Sequence, residues 1–195
     1  MVFLESVQFM AVFQEEMYDE FSAYWRNMPR EGGHLLPSRK SIKPTEIKSI
    51  LPHVFMSEIV GHMDVRVRLT GTFLDMISAN SLTGMNYLDV CPESERPMYW
   101  QLTKMITGHP CAHWMIRDVT FVDGKGFRLT QLTYPLRNRR GESNVTFGIM
   151  GTSRNVEVDG RKEVGFIRST IIESRFVDVG AGLPALPENS VLSAD

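Results

Sequence analysis

The sequence predicts an α+β domain: a five-stranded antiparallel sheet with helices covering one face, preceded by an amphipathic helix. Three observations carry that expectation. Val65, Val67 and Leu69 alternate with Arg66, Arg68 and Thr70, the period of a strand with one dry and one wet face. Directly after Gly71, Phe73, Met76 and Ile77 fall at three-to-four spacing, so a short helix folds back over the dry face. Three further apolar runs, from Cys111 to Val122, Phe127 to Leu136 and Ser143 to Thr152, are separated by turn-forming residues.

The elements follow in order. Phe9, Phe13, Met17, Phe21, Tyr24 and Met28 form a helical stripe between Gln14, Glu15, Glu16, Asp19 and Glu20. Two readings compete for it: packing on its own domain, or pairing with the same helix of a second subunit. The second makes Phe9, Phe13, Met17 and Phe21 the interface of a homodimer. Residues 29–52 read as a connector broken by Gly32, Gly33 and Pro37, with a short helix from Pro44 anchored by Ile47 and Ile50. Val54 to Val60 suits a strand, and Gly61 to Asp64 a tight hairpin.

Glu93 to Ile106 predicts a helix, with Glu93 and Glu95 at its positive end, Pro97 in its first turns and Gly108 at its stop. Asp123 to Gly126 and Asn138 to Gly141 are hairpin signals between the later strands. Beyond Asn155, the apolar residues from Val164 to Val179 favour one or two strands, although a helix also fits, and Gly180 to Asp195 has the composition of a mobile tail. The expected boundaries are residues 1–53 for the helix and connector, 54–155 for the domain, and 156–195 for an extension and tail.

Totals exclude several classes. The 195 residues, 43% hydrophobic and 23% charged, suffice for one decorated domain with a packed core. A net charge of -2 lacks the positive excess of a nucleic-acid footprint. The first thirteen residues have no positive start and are interrupted by Glu5, so they do not read as a secretion signal. No apolar window reaches a membrane span. Cys91 and Cys111 are too few for a disulfide framework, which predicts a reducing, cytoplasmic setting.

The order of two strands, a helical segment and three strands makes residues 54–153 resemble a PAS domain, and about residues 20–155 resemble a bacterial class of stand-alone single-PAS proteins. The matching pieces are Trp25, Pro37-Ser38-Arg39, Leu51-Pro52, the Arg66 to Thr72 run, Leu82-Thr83-Gly84 and Tyr134-Pro135-Leu136. The resemblance implies a sensory or regulatory module whose sheet and helices enclose a pocket.

No motif supplies a chemistry. His34, His53, His62, His109 and His113 form no zinc-ligand spacing, and no Cys-x-x-Cys is present. Haem needs only one axial ligand, for which His109, His113, Cys91 and Cys111 are the candidates. Asn86 to Cys91 departs from the flavin-photosensor motif. Nucleophile and phosphate-loop signatures are absent, and Arg137, Arg139 and Arg140 read as a wet turn. Twelve methionines point to an adaptable interior. An empty cavity of about 150 Å³ would cost roughly 3–4 kcal/mol, so side chains or an apolar ligand should fill it, with Phe73, Ile77, Tyr87, Leu102, Ile106, Trp114 and Ile116 as the lining. The expectation is a non-catalytic sensor without predicted cofactor or metal, acting through a homodimer and an unidentified protein partner. The alternative is an isomerase- or hydratase-like enzyme using Asp75 or Asp118.

Overall fold

Period-two apolar runs bounded by turn formers fold into one antiparallel sheet of six strands. The strands are β1 (Val54–Gly61), β2 (Asp64–Thr70), β3 (Cys111–Phe121), β4 (Gly126–Arg137), β5 (Ser143–Thr152) and β6 (Phe166–Asp178), in the spatial order β2-β1-β5-β4-β3-β6. The computed structural model describes residues 2–78, 81–121, 124, 126–152 and 166–185. The expected count of five is thus one short. The apolar residues after 164 supply the sixth strand, which pairs along β3 from Cys111–Asp178 to Phe121–Phe166. It covers an edge that would otherwise present unpaired backbone groups. Asp123 and Lys125 of the expected hairpin and the tail from residue 186 lie outside the described residues.

Helices cover both faces rather than one. α1 (Val2–Asn27) lies on the outer face, where Met17, Tyr18, Phe21 and Trp25 are buried with Leu132, Tyr134, Val145, Phe147 and Ile149. Trp25 stacks on Tyr134 with ring centroids 4.5 Å apart and donates from Nε1 to the Pro135 carbonyl at 3.1 Å. The Tyr18 hydroxyl donates to the Thr130 carbonyl at 2.7 Å. Phe21 is 0% exposed, a burial that contributes about 1.5–3 kcal/mol. Met17 and Phe21 therefore belong to the chain's own core and not to a dimer interface; the side chains of Phe9 and Phe13 lie outside the description.

The inner face carries α2 (Thr72–Ile77), α3 (Arg96–Gly108) and the segment between them. Pro97 occupies the first turn of α3, where a missing N–H costs nothing. Leu74 and Ile77 are the buried residues of α2, while Met76 turns outward. The organising strand departs from strict alternation. Val65 and Val67 face inward, but Leu69 is 40% exposed. The register explains the difference: Met56 pairs with Leu69 and Ser57 with Val67, so Arg68 is the extra residue of a bulge. One inserted residue sends everything beyond it to the opposite face.

The connector is tied to the end of β4. The Arg137 N–H donates to the Pro37 carbonyl at 3.0 Å, and Arg137 Nε donates to the Leu36 carbonyl at 3.0 Å. Ser38 caps a single 3₁₀ turn, accepting from the Lys40 N–H at 3.2 Å. The helix expected from Pro44 is a 3₁₀ turn, Pro44–Ile47, that buries Ile47 and is followed by a buried Ile50.

Candidate functional site

Between the inner face of the sheet and its helical cover lies a cavity of about 110 Å³. Its position follows from the strands. Residues of one parity on β1, β3, β4 and β5 must point inward, and α2 and α3 roof them with branched aliphatics. Leu74, Ile77, Leu102 and Ile106 form the roof, with Val65, Val67, Met115, Leu129 and Met150 around the sides. Left empty, such a space costs about 2.5 kcal/mol. It is comparable to engineered cavities of about 150 Å³ that take up benzene.

The floor is polar. Ser57, Gln131, Thr133 and Thr146 contribute hydroxyl and amide groups from three strands. Gln131 Nε2 donates to Thr133 Oγ1 at 2.9 Å, while Gln131 Oε1 is buried with no hydrogen-bond partner among the described residues. At one end stands Arg117, 2% exposed. Its Nη1 donates to the Tyr99 hydroxyl at 2.7 Å, it also hydrogen-bonds Tyr87, and its guanidinium lies 5.3 Å from the Tyr99 ring centroid. Burial works against the Arg117 charge, yet the facing Tyr87, Tyr99 and Cys91 hold its pKa above the ordinary arginine value. Burial pushes the Tyr87 phenol well up and the Cys91 thiol up to about 12. Tyr87 and Cys91 are therefore neutral at physiological pH, and the guanidinium is the charged group beside them.

The Tyr99 hydroxyl also reaches outward, 2.8 Å from Ser169 Oγ on β6, and the Ser169 N–H donates to Glu95 Oε1 at 3.1 Å. The polar end of the cavity is thereby joined to the strand that closes the sheet.

Of the seven residues the sequence nominates, Ile77, Tyr87, Leu102 and Ile106 line the cavity. The other three lie elsewhere. Phe73 packs on the His53 ring at a centroid distance of 4.3 Å. Trp114 makes an edge contact with Tyr18 on the outer face, 4.9 Å between centroids. Ile116 shares the parity of Trp114; Met115 and Arg117 are the β3 residues that face the cavity. Arg117 and Gln131 escaped sequence reasoning because polar residues in a strand ordinarily point to water. A buried charge leaves no periodic trace.

The residues present do not fit haem or flavin. The cavity lining contains no histidine or cysteine among the described residues, and its volume, on the scale of a one-ring site, is far short of a macrocycle or a three-ring flavin. His113 hydrogen-bonds Ser174 through Nε2 at 2.9 Å, and Cys91 and Cys111 are buried thiols. No metal-binding group of three or more His, Cys, Asp or Glu occurs among the described residues. Asp75 accepts from the Thr70 hydroxyl and stays outside the lining. Asp118 forms a two-pronged pair with Arg128 at 2.8 and 2.9 Å on the outer face. No helix among the described residues is long and apolar enough to cross a membrane.

A family model described as "PAS domain" matches residues 13–151. Among solved structures, a light-oxygen-voltage domain studied with a flavin analogue is 13% identical, with a TM-score of 0.43, over 57% of this chain and 86% of its own. VqmA bound to DPO is 10% identical, with a TM-score of 0.45, over 55% of this chain and 56% of its own. The match thus spans just over half of the VqmA chain. A Rhodobacter sphaeroides LOV protein is 8% identical, with a TM-score of 0.42, over 60% of this chain and 71% of its own. No curated protein matches the sequence.

Proposed function

The chain belongs to the PAS domain family, and from that premise we propose that it is a non-catalytic sensory module that takes a small, mainly apolar ligand into its inner cavity. The observation that carries the reading is the cavity itself: about 110 Å³, roofed by aliphatic side chains and ending at a buried guanidinium. Apolar walls with a few fixed polar groups are the usual chemistry of small-molecule recognition. Turnover would need a base or nucleophile in contact with the ligand. The lining offers no carboxylate, histidine or cysteine among the described residues. The ligand is of one-ring size. Its presence is passed on by contact with another protein, a second copy of the chain included.

Native mass spectrometry and an absorbance spectrum of freshly purified protein test this, followed by titration with benzene as a one-ring probe. The expected result is either a retained small mass or saturable benzene uptake that Ile77→Trp abolishes. Absence of both would overturn the reading.

A further inference from the structure

A second depression lies away from the inner cavity. The turn between β4 and β5, the outer side of β1 and β2, and Arg39 in the middle of the connector enclose an open cleft of about 590 Å³. That volume is within the range of small-molecule sites. Four arginines line it, Arg39, Arg68, Arg139 and Arg140, against two carboxylates, Glu58 and Glu142. The cleft thus carries a formal charge of +2 (four minus two), whereas the whole chain carries -2.

Both walls are built before any ligand arrives. On one, Arg39 Nη1 and Arg68 Nε donate to the same oxygen, Glu58 Oε2, at 3.3 and 2.7 Å, and Glu58 is 14% exposed at its side chain. A single half-buried carboxylate therefore fixes two guanidiniums side by side. On the other wall, Asn138 holds the turn rigid. Its Oδ1 accepts from the N–H groups of Arg140 and Glu142 at 2.8 and 3.1 Å, and its Nδ2 donates to Glu142 Oε2 at 2.7 Å. Arg139 and Arg140 project from that turn into solvent. Each carboxylate of the cleft is thus engaged by a neighbour.

We propose that this cleft binds a diphosphate-bearing small molecule, either free pyrophosphate or the diphosphate of a nucleotide. Guanidinium forks match phosphate oxygens in pairs. Two pairs of arginines, one from the connector and β2 and one from the β4–β5 turn, offer a guanidinium partner to each phosphoryl group of a diphosphate. Neither the site nor its charge depends on what fills the inner cavity.

Calorimetric titration of the full chain at constant ionic strength tests the proposal, using inorganic pyrophosphate, a nucleoside diphosphate and inorganic phosphate in parallel. Saturable binding of pyrophosphate or the nucleotide, at least tenfold tighter than phosphate, supports it. Tighter binding of the nucleotide than of pyrophosphate identifies the nucleotide as the source, and the reverse identifies the free anion. The double variant Arg139→Ser/Arg140→Ser, confined to an exposed turn, should weaken binding at least tenfold with an unchanged Tm, and Arg68→Ser should do so from the other wall. No saturable heat, equal binding of phosphate, or full binding in both variants would overturn the proposal.

Discussion

Gly71 lies against the backbone of Pro52 so closely that a Cβ on the glycine would sit 2.2 Å from the Pro52 carbonyl oxygen and 2.3 Å from that of Leu51. The Gly71 N–H donates to the Val54 carbonyl at 2.8 Å, so the connector, β1 and the start of α2 meet at this point. The atoms in the way are main chain and cannot swing aside. Gly71→Ala should therefore cost about 3 kcal/mol, a fall in Tm of roughly 6–12 °C. Thermal unfolding followed by circular dichroism measures it. An unchanged Tm would mean that the junction is looser than described.

Phe21 supplies the next prediction, because its ring fills space between α1 and β5, 4.9 Å from the Phe147 ring centroid. Phe21→Ala should cost about 3–5 kcal/mol. The same substitution should leave the oligomeric state as it was, measured by light scattering at a concentration where the variant remains folded. A variant with full stability and an altered oligomeric state would return this residue to an intersubunit contact.

Much of this fold was legible because its strands and turns obey local rules. The β5 run, Val145 to Ile149 alternating with Thr146 and Gly148, occurs where its pattern says it should. The motif pieces also meet: Trp25 with Pro135, Leu51-Pro52 with Gly71, and Gly84 with Val67, whose carbonyl accepts from the Gly84 N–H at 2.8 Å, while Pro37 bonds Arg137 just after the Tyr134-Pro135-Leu136 piece. What the sequence could not show was which side of β3 faces the cavity. With α1 on one face and α3 on the other, both parities of that strand are covered, and the contrast that reveals a solvated face disappears. Trp114 looked like a pocket residue by hydrophobicity, while Arg117 looked like surface by charge. Leu69 was misplaced for a different reason, since a bulge is one extra residue without a compositional mark.

His113 makes acid stability a further test. It is 0% exposed, bonded through Nε2 to Ser174 and packed on Phe176 at 4.9 Å between centroids. Burial lowers its pKa from 6.5 to about 4. The folded state therefore binds its proton later than the unfolded chain does. The stability linked to this neutral ring is fully present above pH 6.5 and is lost as pH falls from about 6.5 towards 4. The loss is on the order of 3 kcal/mol at 1.36 kcal/mol per pKa unit. Urea unfolding at pH 7.5, 6 and 4.5 should show the decline, and His113→Leu should flatten it. A slope that is the same in the variant would assign the acid sensitivity to other groups.

The inner cavity can be tested by filling it. Ile106 on α3 is 3% exposed and points into the space of about 110 Å³. In a close-packed core, exchanging isoleucine for phenylalanine would force neighbours apart at a cost of about 1–3 kcal/mol. Here the added ring enters room that already exists and recovers part of the roughly 2.5 kcal/mol lost to the void. Ligand-free Ile106→Phe should thus unfold about 2–4 °C higher than the parent, equivalent to about 1 kcal/mol in a chain of this size. The same ring occupies the place of a one-ring guest, so benzene affinity should fall at least tenfold. The two readouts must move in opposite directions, stability up and uptake down, because one volume serves both. A lower Tm with benzene uptake intact would show that the space beside Ile106 is not where a guest resides.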